Sequence, residues 1–296
     1  MPTANQPLTW RTGFVFSILA AVMAAPLRAA PIPVQSFKMF KDGVTLAMSP
    51  GKMKLTVCSA GIVRVMYSPL STLPEGQDFV VANRSWPVTS FQAADSDGQV
   101  TVTTRKLKVA VDKMTGAVAF YDLAGHLLLA EPAAGGKTMM PIFVNGESSY
   151  RPQQVFLSPA DEFLYGLGQF QDGIWNWRGM PEQLRQLNTQ ISIPMIVSSR
   201  GYGLLWNNAS LSDFNPVDTP MTLTNRSGNY TTGAAGEYVF MVKNGDRRGM
   251  IGAQVNDQTV AAITNMWVPC TVSGKIALPA NTTFTVTLLG GGKNAK

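Results

Sequence analysis

The sequence predicts an all-β protein, an antiparallel β-sandwich followed by a smaller β-rich unit, and three observations carry that prediction. Short stretches alternate apolar and polar residues with a period of two, which puts successive side chains on opposite faces of a strand. Gly-containing turns join these stretches at close spacing. The composition, 45% apolar and only 14% charged with 27 Gly and 19 Pro in 296 residues, suits a folded, loop-rich chain and leaves little material for long exposed helices.

The first segment is expected to be an export signal and not a strand. Arg11 precedes the apolar run Phe14 to Ala25, and Leu27-Arg28-Ala29-Ala30 follows before Pro31, the pattern of an export signal with a small-residue exit. The apolar core is too short for a comfortable membrane span. Residues 1–30 are therefore expected to be a signal peptide, and the protein to be exported to the periplasm or the extracellular space, meeting a membrane only through that signal.

Strands are expected at Ile62 to Tyr67, Val100 to Arg105 and Leu107 to Asp112, then Ala117 to Tyr121 and His126 to Leu129, joined by turns at Lys113 to Gly116 and Asp122 to Gly125. Residues 31–232 make the first sandwich. Asn207 to Gly236 is rich in Asn, Ser, Thr and Gly, the composition of a surface loop or junction, so a boundary is expected near Thr232. Beyond it, Glu237 to Val242, Gly252 to Val255, Val260 to Ile263, Lys275 to Leu278 and Phe284 to Leu288 make a smaller β-rich unit over 233–290. Residues 291–296 carry no strand or helix signal and are expected to be a disordered tail.

Several function classes fall away on composition. The formal charge is +6, but Lys and Arg are scattered without a basic stripe, so no nucleic-acid partner is expected. A single histidine and two distant cysteines, Cys58 and Cys270, leave no ligand set for zinc or iron. No metal and no cofactor is expected, and a disulfide between the two cysteines is permitted but not implied.

The most informative stretch runs from Phe163 to Asn208. It concentrates carboxamides, hydroxyls, aromatics and glycines, the groups a sugar site uses to select hydroxyls and cover the apolar faces of a ring. On composition alone, satisfaction of buried backbone at a sandwich edge explains them as well. Their order is more specific: Tyr165-Gly-Leu-Gly-Gln169, Asn188-Thr-Gln-Ile-Ser192 and Ser199-Arg-Gly-Tyr-Gly-Leu-Leu-Trp206. In this order and spacing the blocks resemble the amino-terminal, galactose-mutarotase-like domain of glycoside hydrolase family 31, in particular its bacterial α-xylosidase and α-glucosidase members. Val111-Asp112-Lys-Met-Thr-Gly116 resembles the hairpin of the same family. The segment after Thr232 is similar to the start of the protective-antigen-type insert that some of these xylosidases carry.

The resemblance implies a retaining α-glycosidase acting on α-linked xylosyl or glucosyl oligosaccharides, in which one carboxylate attacks the anomeric carbon and a second carboxyl protonates the leaving oxygen. In the family both groups sit on a following (β/α)8 barrel, which needs about 250 residues. No Asp here is followed by Met or Asn, as the family nucleophile is. This chain is thus expected to lack the barrel and to be inactive alone, with no catalytic residue of its own. Carried over are a loop that shapes the sugar pocket, Asn188, Thr189, Gln190 and Ser192, and residues expected to brace it, Gln171, Arg185 and Gln186. A neutral amide at Gln190, where an acid often stands, leans towards xylosides. The alternative is a stand-alone carbohydrate-binding β-sandwich module.

Lesser motifs lead elsewhere. Gly166-x-Gly168 with Gly173 is out of register for a dinucleotide loop. Asp161 and Glu162 are neighbours on opposite faces of an extended chain, cannot flank one bond, and are read as turn residues. Trp175 and Trp177 are expected to pack the sandwich, with stacking on a sugar as the lesser alternative. His126 is read as a solvated strand start.

Overall fold

The computed structural model describes residues 18–21, 30–74, 78–83, 85–188, 190–217, 219–244, 249–266 and 270–290. Every helix or strand among them is a strand. Most of the expected signal peptide and the whole of the expected tail lie outside the described residues.

Four strands, Val34–Phe40, Gly43–Met48, Lys52–Ser59 and Ile62–Ser68, pair in chain order as an antiparallel meander. A five-stranded sheet faces it, in the order Leu127–Ala130, Val118–Tyr121, Lys108–Asp112, Gln99–Thr103, Gln92–Asp95. The alternation in sequence becomes the core: Val44, Leu46 and Leu55 of the first sheet and Val100, Val102 and Val109 of the second are buried in one cluster, each supplying about 1.5–3 kcal/mol of hydrophobic stabilisation. The hairpin at Asp112 to Gly116 closes on a single carboxylate. Oδ1 of Asp112 accepts from the backbone of Met114 (2.9 Å) and Thr115 (2.8 Å) and from the Thr115 hydroxyl (2.9 Å), and Gly116 takes the left-handed φ of +69° that ends the turn.

After a two-stranded hairpin, Lys137–Val144 with Glu147–Gln154, the chain builds the part that carries the candidate site. Leu164–Gln169, Ile191–Ser198 and Gly203–Leu205 form a three-stranded sheet, and Glu182–Leu184 pairs with Ser212–Phe214 beside it. Leu164, Leu167, Trp177, Met180, Leu184 and Ile196 bury their side chains together here.

A second sandwich follows. Its sheets are ordered Pro220–Met221, Ile18–Ala21, Gly236–Asn244, Cys270–Leu278 and Ser227–Thr231, Thr283–Gly290, Gly249–Val255, Gln258–Met266, and Phe240, Ala253 and Val286 at its centre are fully buried. All five strands expected beyond Thr232 are present, with wider bounds. The expected boundary, however, falls inside this unit. Ser227–Thr231 pairs along its length with Thr283–Gly290, and Thr232, 1% exposed, donates its hydroxyl to the carbonyl of Pro279 at 2.6 Å. Three short strands also lie in the segment read as a loop, Ser212–Phe214, Pro220–Met221 and Ser227–Thr231, because cross-strand pairing there is supplied by distant partners and not by local apolar periodicity. Ile18–Ala21, within the expected signal peptide, adds its backbone to this sandwich.

Candidate functional site

The three motif blocks do different physical work. Tyr165-Gly-Leu-Gly-Gln169 is a β-bulge: pairing with the strand Ile191–Ser198 shifts register between Gly166 and Gly168, and Leu167 adopts φ of +64° with its side chain 2% exposed in the core. A side chain on Gly168 would collide with the carbonyl oxygen of Ile191, and a Cβ on Gly166 would stand 2.5 Å from that of Met195. Both glycines are thus required by close backbone approach, and the bulge aims the outgoing chain towards the site loop.

The Ser-x-Gly-Tyr block is a hairpin turn organised by an acid that sequence reasoning underrated. Glu162 is 1% exposed, and its carboxylate accepts from the hydroxyls of Ser158 (3.0 Å), Ser198 (2.5 Å) and Tyr202 (2.6 Å). Burial and that carboxylate together push the Tyr202 hydroxyl well above its ordinary pKa, so Tyr202 serves as a fixed donor. Asp161 points out and pairs with Arg200 at 2.9 Å. The neighbours do face opposite ways and do belong to a turn, which the Glu162 backbone N–H closes onto the carbonyl of Pro159 at 3.1 Å, but the Glu162 side chain is also a buried hub.

The middle block borders an open cleft, which it lines through Ser192. Backbone contacts between Leu187 and Gln190 make a tight turn that puts exposed Asn188 at its tip; Thr189 lies outside the described residues. Gln186 stitches the turn from below, its Nε2 donating to the carbonyl of Gln190 (3.0 Å) and its Oε1 accepting from the backbone of Ser192 (3.1 Å). Gln190 is 6% exposed, so its side chain packs at the base of the turn. Arg185, Gln186 and Ser192 line an open cleft of about 330 Å³ closed on the other side by Asn208, Ser210 and Ser212. Gln171 does not join them: it is exposed and makes no hydrogen bond to the loop among the described residues.

The family whose model fits this chain is the glycosyl hydrolase 31 N-terminal galactose mutarotase-like domain, over residues 52–215. The chain belongs to that family. As a family 31 amino-terminal domain it is similar to an uncharacterized family 31 glucosidase, ORF2, of Pseudescherichia vulneris, with 31% identity over 134 residues, 38% of this chain and 25% of that protein. It is also similar to an alpha-xylosidase of Saccharolobus solfataricus, 28% identical over 165 residues, 51% of this chain and 21% of that protein. The crystal structure of a GH31 alpha-xylosidase from Xanthomonas citri shares the fold, with a TM-score of 0.64 at 22% identity over 86% of this chain and 34% of that one. The chain thus spans about a quarter of the length of its curated relatives.

Trp177 packs at 3% exposure edge-on to Phe170 (5.7 Å), as expected, while Trp175 stands 83% exposed. His126 is exposed and hydrogen-bonded to Asp122 across its turn. Cys58 is a buried free thiol, pushed above its usual pKa by burial. Sequence reasoning missed Glu182, 6% exposed at the root of the middle block, whose carboxyl group burial pushes up; its hydroxyl partner Thr271 lies 89 residues on, and only the fold brings them together.

Proposed function

We propose that this chain is the amino-terminal part of an exported retaining α-glycosidase of the α-xylosidase or α-glucosidase type, that it supports the catalytic barrel, and that its loop Asn188–Ser192 shapes the pocket for an α-linked xylosyl or glucosyl group. The observation that carries the reading is an uncovered apolar sheet face beside that loop. Ile191, Ile193, Met195 and Val197 alternate outward along one strand at 40–49% exposure, with Tyr165 opposite Val197 and Leu205 opposite Met195 on the flanking strands. Contiguous apolar surface of this kind marks an interface with another protein unit. Ser192 and Pro194 point the other way, into the cleft, so one strand serves the interface on one face and the candidate pocket on the other. Family membership and the similarity to a named alpha-xylosidase support the choice of chemistry.

The reading assigns both reacting carboxylates to the barrel, leaving this domain to position sugar and barrel. It is tested with p-nitrophenyl α-xyloside and α-glucoside. The isolated chain is expected to give no turnover above background, whereas the polypeptide extended through a barrel hydrolyses one of them with retention at the anomeric carbon; turnover by the isolated chain, or inversion by the extended one, overturns it.

A further inference from the structure

The cleft beside the candidate pocket loop has a third wall, and it comes from the first sandwich. Arg185 and Ser192 stand on one side of the cleft and Asn208 and Ser212 on another, while Val80 reaches it from the loop 78–81, between the strands Ile62–Ser68 and Gln92–Asp95. Apolar surface from Val80, Leu184 and Pro194 thus meets the hydroxyl and amide groups of Ser192, Ser212 and Asn208, the mixture that suits the face and the edge of a pyranose ring.

Asp78 fixes that third wall. Its Oδ1 accepts from the backbone of Val80 (3.1 Å) and of Val81 (2.9 Å), which sets the turn that carries Val80. Its Oδ2 lies 3.2 Å from the Arg64 guanidinium, on the strand Ile62–Ser68, and accepts from the side-chain amide of Asn207 at 2.6 Å. One carboxylate thereby joins a strand of the first sandwich, a wall of the cleft and the end of the Ser-x-Gly-Tyr block.

The opposite wall depends on the same bond. At one end the backbone of Trp206 donates to the carbonyl of Pro194 at 2.7 Å, and at the other Ser212 pairs with Leu184. Between these anchors the bonds are local: Oδ1 of Asn208 accepts from the backbone (2.7 Å) and the hydroxyl (2.6 Å) of Ser210. Among the described residues, the one side-chain bond from 207–211 to a different segment is that of Asn207 to Asp78.

We propose that the loop 78–81 is a wall of the sugar pocket and that Asp78 is a positioning residue, clamping this loop to the stretch 207–211 and so setting the width of the cleft for a pyranose ring. The part played in sugar binding rests on the glycosidase reading above, whereas the clamp itself is tested without a substrate. With the bond in place both walls are set before a sugar arrives. With the bond cut, binding must also order a loop, which weakens affinity and leaves the bond-breaking step, assigned to the barrel, unaltered.

The experiment compares the chain with three variants. Asn207→Leu removes the amide and leaves the Asp78 turn and its Arg64 partner in place; Asp78→Ala removes the turn and the clamp together; Asp78→Asn combined with Asn207→Asp reverses donor and acceptor across the same gap. In amide hydrogen exchange, residues 208–211 are expected to open about tenfold faster in both single variants than in the unaltered chain and to regain protection in the swapped pair. In the polypeptide extended through a barrel, Asn207→Leu is expected to raise KM about three- to tenfold with kcat within about twofold, and the swapped pair to restore KM. Unchanged exchange at 208–211 in both single variants overturns the proposal, as does a swapped pair that exchanges as fast as they do, or a loss of kcat at constant KM. If the extended polypeptide hydrolyses neither glycoside, the glycosidase reading falls and the sugar-binding part of the proposal with it, while the exchange rates still decide the clamp.

Discussion

Lys137 and Glu131 form a buried ion pair, with the ammonium 2.6 Å from both carboxylate oxygens and 3.0 Å from the carbonyl of Gly116. Burial pushes each towards its neutral form, raising Glu131 and lowering Lys137, and each opposes that push in the other. Because the interaction joins the Thr-Gly hairpin to the strand leaving the first sandwich, its loss is expected to be costly in a one-sided way. Lys137→Met leaves a buried charge unpaired and should destabilise the chain by about 3–5 kcal/mol, whereas the double replacement Lys137→Met with Glu131→Leu should recover most of the loss; chemical denaturation of the three proteins measures both. Nothing local in the sequence marks this pair, since six residues and a turn separate the partners. The same holds for Glu162, which stands next to Asp161 with nothing in composition to say which is the hub. Residue burial was legible where a period of two ran on for several residues, as at Val100 and Val102, and illegible for isolated polar groups whose partners arrive from a different strand.

At the scale of elements, the strands legible from alternation were those with one face in a core: Ile62–Ser68, Gln99–Thr103, Lys108–Asp112, Val118–Tyr121 and the five of the second sandwich. Ser212–Phe214 and Pro220–Met221 are too short to show a period, and their pairing is decided elsewhere. The motif blocks were legible as a unit, but their division of labour was not. Two of them, the bulge and the hairpin turn, are backbone devices, and of the middle block Ser192 alone lines the cleft, beside Arg185 and Gln186 just before it. There Gln186 acts as a side-chain clamp on the Leu187–Gln190 turn, in place of a longer backbone ladder. Gln186→Ala is therefore expected to loosen the turn without unfolding its sheet: hydrogen exchange at residues 187–192 should accelerate, while global stability falls by about 1–3 kcal/mol at most, the range for two lost hydrogen bonds at a partly exposed site. A global collapse on this substitution would mean that the loop is a core element and not an appended one.

For the whole molecule, the division into two sandwiches was legible and the point of division was not, because Ser227–Thr231 lacks the apolar run of its partner Thr283–Gly290 and borrows its order from it. The units communicate through Glu182 with Thr271 and through Pro181 with Ser273, a small polar seam. A larger uncovered apolar surface lies on the three-stranded sheet, where Tyr165, Ile191, Ile193, Met195, Val197 and Leu205 face solvent together. A sheet with its second face uncovered is stable only if water is tolerated there or another unit arrives. If that unit is a catalytic barrel, the isolated chain has lost its partner, and the apolar face should drive self-association that rises with protein concentration and with sulfate, which strengthens apolar burial. Placing a charge at the centre of the face, by Ile193→Lys or Val197→Lys, should yield a monomer in sedimentation velocity with an unchanged melting temperature, since neither side chain contributes to a core. A stand-alone carbohydrate-binding module makes the opposite forecast: the unaltered chain stays monomeric at high concentration and binds xyloglucan oligosaccharides saturably. Sedimentation and titration on one preparation thus decide between a domain shaped to carry a barrel and one shaped to hold sugar by itself.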